Sequence, residues 1–443
     1  MAEPTTRFEY LTGFWQGVAG RGRALVGMRR PPPLDVEGLI ELARKLLGGH
    51  GEASGAATAQ TLLAGFGGLG EAEKRAFLTR VADEFGPDLA GLQEAARAFL
   101  DAPDSARAGE VFARAEPTRQ ELIRRLNHAP GGTYALVKMR QTLLAALKEG
   151  APLEALERDF RHLFASWFNR GFLVLKRIEW TTPANILEKI IRYEAVHEIS
   201  TWDELRSRLD PPDRRLYAFF HPALADEPLI FVEVALTSAI AEAIEPLLAS
   251  DRVALAPQAA TTAVFYSISN AQSGLSGVSF GNFLIKQVVE DLRRELPRLQ
   301  NFVTLSPVPG FARWLAQEGE TSRFVSLEAR RTLEAIESGE TPEAADRTLS
   351  ALAAAYFLHA RTPAGRVIDP VARFHLGNGA RLERINPRGD RSPAGMRQSL
   401  GLMVNYRYDP DDIEANHEAF ANRGAVTASA AVRKLAAGFA VKG

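Results

Sequence analysis

A chain of 443 residues is longer than one hydrophobic core usually supports, so two domains are expected. Lys plus Arg (53) nearly balances Asp plus Glu (54), and with 46% hydrophobic and 24% charged residues the composition is that of a soluble globular protein. It has no bulk electrostatic pull toward nucleic acid or an anionic membrane. The chain has no cysteine, which removes disulfides, thiolate metal sites and cysteine nucleophiles. No apolar run is long enough to span a membrane and no signal peptide or organelle tail is recognised, so a cytoplasmic protein is expected.

Residues 1–30 carry no motif and are expected to form a poorly ordered N-terminal segment. From about residue 34 to 170 the apolar spacing is helical. "VEGLIELARKLLGG" places Val36, Leu39, Ile40, Leu42, Leu46 and Leu47 roughly on one face before a glycine stop. "EAEKRAFLTRVADEFG", "TYALVKMRQTLLAALKEG" and "LEALERDFRHLFASWFNRG" behave alike. After "RGFLVLKRIEWTTP" the texture changes: "RRLYAFFHPAL", "EPLIFVEVALT", "TTAVFYSIS" and "NFVTLSPV" read as strands. "GNFLIKQVVEDLRRELPRL" between them reads as a helix. In "DPVARFHLGNGARLERINP", Asn378-Gly379 signals a turn between two candidate strands, which would set His375 on the face opposite Phe374 and Leu376. The fold class is therefore α+β. A helical domain over 31–185 precedes a mixed α/β domain over 186–443.

Two stretches carry candidate chemistry. The first is a strand, a loop with Gly274, Gly277 and Gly281, and a helix. Glycines let backbone N–H groups converge, and the helix N-terminus adds its unpaired donors, so the loop suits an anionic phosphate. Taken alone it is as readily a plain turn, because the spacing matches neither phosphate-loop fingerprint. The second stretch is "LSPVPG", in which Ser306 precedes two prolines that fix φ. Alone, it reads more readily as a turn former than as a functional hydroxyl.

Longer motifs add a resemblance. "GGTYALVKMRQTLLAAL", "LFASWFNRGFLVLKRIEWTTPANILEKI", "GLSGVSFGNFLIKQVVEDLRRELPRLQNFVTLSPVPGFARWL", "PVARFHLGNGARLERIN" and "GLMVNYRYDPD", all in one order, resemble the malonyl-CoA decarboxylase family. The resemblance implies a helical domain that forms oligomers, a tetramer in that family, followed by a catalytic domain with the fold of GNAT acetyltransferases. It further implies conversion of malonyl-CoA to acetyl-CoA and CO2 without metal or other cofactor.

The family's catalytic serine falls on Ser306, its histidine on His375 and an active-site tyrosine on Tyr408. The loop that holds the CoA pyrophosphate falls on Ser276, Gly277, Val278, Ser279, Phe280, Gly281 and Asn282. Ser279 stands where the family's animal members carry a glutamate, so a carboxylate role does not transfer. Read as an imidazolium with an ordinary pKa of about 6.5, His375 would protonate the enolate carbon. Two other readings share the CoA loop: an acyltransferase, and a non-catalytic acyl-CoA-binding assembly protein. Lys286 is read as a phosphate contact or a solvated lysine. The seven histidines other than His375 are read as structural or exposed.

Overall fold

The structure, a computed structural model, describes residues 34–49, 51–278, 284–318, 324–337 and 344–437. Residues 1–30, His50 and Ser279 to Asn282 of the expected phosphate loop lie outside the described residues. Contacts divide the chain into two compact units. One runs to Leu136 and includes Ala145–Leu156; the other comprises Val137–Leu144 and everything from Glu157 onward.

The first unit is helical, built from α1 (Val36–Gly48), α2 (Glu52–Gly68), α3 (Glu71–Glu84), α4 (Leu89–Asp101), α5 (Ser105–Ala115), α6 (Thr118–Asn127) and part of α7 (Gly132–Lys148). Helix α1 starts where the Asp35 carboxylate accepts from the Gly38 N–H at 2.9 Å, capping an orphan donor. It buries Leu39, Ile40, Ala43 and Leu46, the i, i+1, i+4, i+7 stripe that a core-facing helix needs. Its C-terminal carbonyls at Leu46 and Gly49 accept from the Arg125 guanidinium at 2.5 and 2.8 Å. The α4–α5 hairpin differs: Leu89, Leu100 and Phe112 are 71%, 76% and 78% exposed.

The second unit takes in the middle of α7 and most of α8 (Glu154–Trp167), and a mixed sheet follows. β1 (Val174–Ile178) pairs antiparallel with β2 (Arg214–Phe220) across α9 (Ala184–Tyr193) and α10 (Trp202–Leu209). β3 (Pro228–Thr237) and β4 (Thr262–Asn270) continue the antiparallel order. Every residue of β2 is buried, as expected for a strand covered on both faces. Between β3 and β4 the register steps from Glu233↔Ser267 to Val234↔Phe265, so Tyr266 is the extra residue of a β-bulge.

β4 then leads through the glycine loop and α11 (Leu284–Glu295) into β5 (Asn301–Thr304), which pairs parallel with β4. Strand, loop, helix and parallel strand thus form one crossover that sets the glycine loop at the end of β4. Helix α11 buries Leu284, Ile285, Val288, Val289 and Leu292, each worth about 1.5–3 kcal/mol. The rest of the sheet is β6 (Ser306–Pro307), β7 (Arg381–Asn386) and β8 (Met403–Arg407), with β8 bonded to β5, β6 and β7.

Helices α12 (Phe311–Gln317), α13 (Leu327–Glu337), α14 (Ala345–Leu358) and α15 (Pro370–Gly377) lie between β6 and β7. Val303, Leu305 and Met403 pack with Tyr266 and Leu247 in one core cluster. Alternation therefore turns Thr304, Ser306, Tyr406 and Tyr408 to the opposite face.

One expectation is corrected here. "PVARFHLG" is helix α15, not a strand. Asp369 caps it, its carboxylate accepting from Ala372 N–H at 2.8 Å, and Pro370 stands at the first helical position, where its missing N–H costs nothing. Asn378-Gly379 is the helix stop rather than a hairpin turn. Gly379 has φ +83°, its N–H donates to Leu376 O at 3.0 Å, and the Ala380 N–H donates to His375 O at 3.0 Å. These are the two bonds of a Schellman cap.

Candidate active site

Ser306 and His375 reach one point from different elements. Ser306 lies on the short strand β6, registered with Val404 of β8, and is buried. His375 sits in the last turn of α15, 2% exposed, and not on an outward strand face as the alternation had suggested. Its Nε2 lies 3.1 Å from Ser306 Oγ and its Nδ1 lies 2.8 Å from the Tyr408 hydroxyl. All three residues named from the sequence therefore meet in one hydrogen-bonded chain.

Proton positions follow from the donors. The Ser306 hydroxyl donates to Thr304 Oγ1 at 2.8 Å, so the imidazole nitrogen facing it carries a hydrogen. Nδ1 is then the acceptor of the Tyr408 O–H. Thr304 also accepts from the Tyr406 N–H at 3.0 Å, and its carbonyl accepts from Asn405 Nδ2 at 2.7 Å. The ring of Tyr406 stacks on the imidazole with centroids 4.5 Å apart and planes at 23°. Each rotamer in the cluster is thus held by a neighbour, the preorganisation a reacting site requires.

Electrostatics correct a second expectation. Burial pushes His375 from its ordinary 6.5 down to about 3, because a charged imidazole would be stripped of water. The ring is neutral at neutral pH in the free protein, not the imidazolium inferred from an unperturbed value. Burial likewise holds the Tyr408 hydroxyl protonated, well above its ordinary range.

The glycine loop is anchored from helix α7, by an arginine that sequence reasoning did not single out. Arg140 of α7 is fully buried. Its guanidinium donates to Gly274 O at 2.6 Å and Ser276 O at 2.9 Å, and pairs with both oxygens of Glu157 at 2.9 and 2.8 Å. Gly274 is required by close approach, since a Cβ there would lie 2.0 Å from Val137 O. Gly277 has φ +75°, the left-handed region a glycine enters freely. Ser276 to Val278 are thus placed at the end of β4, ahead of α11.

Comparison with known proteins decides the family. Residues 171–442 match the malonyl-CoA decarboxylase C-terminal domain and residues 85–168 the malonyl-CoA decarboxylase N-terminal domain. The chain belongs to the malonyl-CoA decarboxylase family. It is 35% identical over 413 residues to the mitochondrial malonyl-CoA decarboxylase of Anser anser anser, covering 84% of this chain and 82% of that one. It is 34% identical over 420 residues to the mitochondrial enzyme of Mus musculus, covering 84% of each. The solved malonyl-CoA decarboxylase of Rhodopseudomonas palustris superposes with a TM-score of 0.87 at 60% identity, over 91% of this chain and all of that one. Membership makes the chain a carboxy-lyase with malonyl-CoA as its substrate.

Within this malonyl-CoA decarboxylase scaffold the remaining sequence candidates separate. Lys286 lies 2.7 Å from Glu414. His221 is bonded to Trp167 O at 3.0 Å and accepts from the Ala223 N–H at 3.1 Å, a structural role. His417 Nδ1 lies 2.7 Å from Gly377 O and supports the end of α15. Arg140 escaped notice because its loop partners stand 134 and 136 residues away; the only local sign was a lone arginine within an apolar helix. We expect Arg140→Ala to lower unfolding stability by about 3–5 kcal/mol, since it leaves the Glu157 charge without its partner. Urea denaturation of the variant beside the wild type measures this.

Proposed function

We propose that the chain decarboxylates malonyl-CoA to acetyl-CoA and CO2 through an enolate, with no cofactor, and that Ser306, His375 and Tyr408 act at the acyl end. The observation that carries this reading is the buried Ser306–His375–Tyr408 chain at 3.1 and 2.8 Å in a family whose substrate is malonyl-CoA. The thioester carbonyl is itself the electron sink: when the carboxylate stands across the carbonyl π-system, the C–C bonding pair delocalises onto oxygen as CO2 departs. Ser306 directs the carboxylate. Residues 276–282 take the pyrophosphate, supported by the anchoring of Gly274 and Ser276 on Arg140 and by the helix start that follows.

One proton is consumed per turnover. The imidazole is neutral in the free protein, and an incoming carboxylate favours its charged form. His375 takes up a solvent proton as substrate binds and then delivers the Nε2 proton to the α-carbon, which leaves the neutral ring with its hydrogen on Nδ1; a solvent proton returns to Nε2 as the next substrate binds. Tyr408 serves each state, donating to Nδ1 in the free protein and accepting from Nδ1–H once the ring is charged and after it has delivered its proton. Incubation with malonyl-CoA in D2O tests the reading. Equimolar CO2 and acetyl-CoA with one deuterium in the methyl group is expected; absence of product over pH 5–9 overturns it.

We further propose that the protein works in the cytoplasm as a homotetramer. Support for self-association comes from the exposed Leu89, Leu100 and Phe112, since large apolar side chains grouped on one hairpin mark interaction surfaces. Leu100→Glu with Phe112→Glu is expected to lower the mass measured by light scattering toward that of a smaller species. An unchanged mass removes this hairpin from the interface.

A further inference from the structure

Tyr406 stands apart from the chain of bonds just described. Its ring is 0% exposed and stacked on His375, yet its hydroxyl has no hydrogen-bond partner among the described residues. A buried hydroxyl left unpaired costs about 1–3 kcal/mol, and the polar groups that act on it, Asp369, Tyr356 and Tyr408, make their bonds to other partners. Asp369 Oδ1 accepts from Ala372 N–H, and Asp369 Oδ2 accepts from the Tyr356 hydroxyl at 3.2 Å. The Tyr408 hydroxyl is on His375 Nδ1, and Thr304 Oγ1 already receives two donors. A phenylalanine would keep the stacking without the cost, so the hydroxyl is a donor available to a bound substrate.

Resting on the decarboxylation reading above, we propose that Tyr406 is a further catalytic residue, its hydroxyl the donor to the thioester oxygen as that oxygen becomes an enolate. Strand alternation puts Tyr406 on the same face of β8 as Tyr408, and its ring backs the imidazole that contacts Ser306. A substrate whose carboxylate is directed by Ser306 and whose α-carbon faces His375 Nε2 brings its thioester carbonyl beside this aromatic pair. A fixed neutral donor in a water-poor site acts on charge that develops only in the transition state, so its removal lowers kcat while leaving ground-state binding alone.

Tyr406→Phe tests this against Ser306→Ala in one assay. The expected result is a kcat lowered on the order of 10²-fold, acetyl-CoA binding by calorimetry within about twofold of wild type, and a melting temperature equal or higher because an unpaired buried hydroxyl is gone. A kcat within about twofold of wild type overturns the proposal, while Ser306→Ala, if still impaired, leaves the active-site reading standing. If Ser306→Ala is unimpaired as well, both fall. A loss of kcat that comes with a lowered melting temperature also overturns the proposal, because it marks a structural role.

Discussion

His375→Asn and Ser306→Ala are each expected to lower kcat on the order of 10²-fold or more, with the fold intact by circular dichroism. In the proposed mechanism the histidine effect follows from removing the proton donor to carbon, a loss typical of general-acid catalysis. Asparagine keeps a polar side chain over the Tyr406 ring but cannot carry a proton to carbon. In the same mechanism the serine effect follows from losing an oriented donor for the carboxylate. Because Ser306 Oγ and His375 Nε2 lie 3.1 Å apart, the two substitutions act on one unit and the double variant is expected to lose little more than the worse single one. Steady-state release of CO2 from malonyl-CoA measures all three. Rates near wild type in both single variants would show the site to be misplaced.

The second large effect is on pH dependence. His375 is held at about 3 in the folded protein against 6.5 when exposed, so its folded-state pKa is depressed. Above pH 6.5 the ring is neutral whether the chain is folded or not, and its contribution to stability is complete. As pH falls from 6.5 toward 3 the unfolded chain binds a proton that the folded chain refuses, and about 1.4 kcal/mol is lost per pH unit. Glu233 opposes this in part. Burial raises it from 4.5 to about 7, so stability is lost as pH rises through that window, when the unfolded carboxylate ionises and the folded one does not. Comparing wild type with His375→Asn cancels the Glu233 contribution. Chemical denaturation from pH 6.5 to 4 is expected to show the variant losing less stability per pH unit by about 1.4 kcal/mol. Parallel pH dependences would contradict a neutral buried His375.

Much of this was legible in the sequence, for identifiable reasons. The strands β2, β3 and β4 announced themselves through β-branched and aromatic runs, and α11 through its apolar stripe. Ser306, His375 and Tyr408 were placed by motif resemblance, and the structure brings them into contact. What failed was local chemistry read with the wrong period. Asn378-Gly379 suggested a hairpin, but the same glycine conformation also ends a helix, and Asp369-Pro370 was the overlooked start signal. The pKa of His375 was misjudged because burial is a tertiary property, and no stretch of sequence shows that α15 is covered. Arg140 and Tyr406 were missed for a similar reason: the one works through partners over 130 residues away, the other through a bond it does not make.

The most direct test is a crystal structure of the protein with an unreactive malonyl-CoA analogue. The malonyl carboxylate is predicted to lie within about 3 Å of Ser306 Oγ or His375 Nε2, with the pyrophosphate on residues 276–282. An acyl end placed away from both side chains would contradict the account.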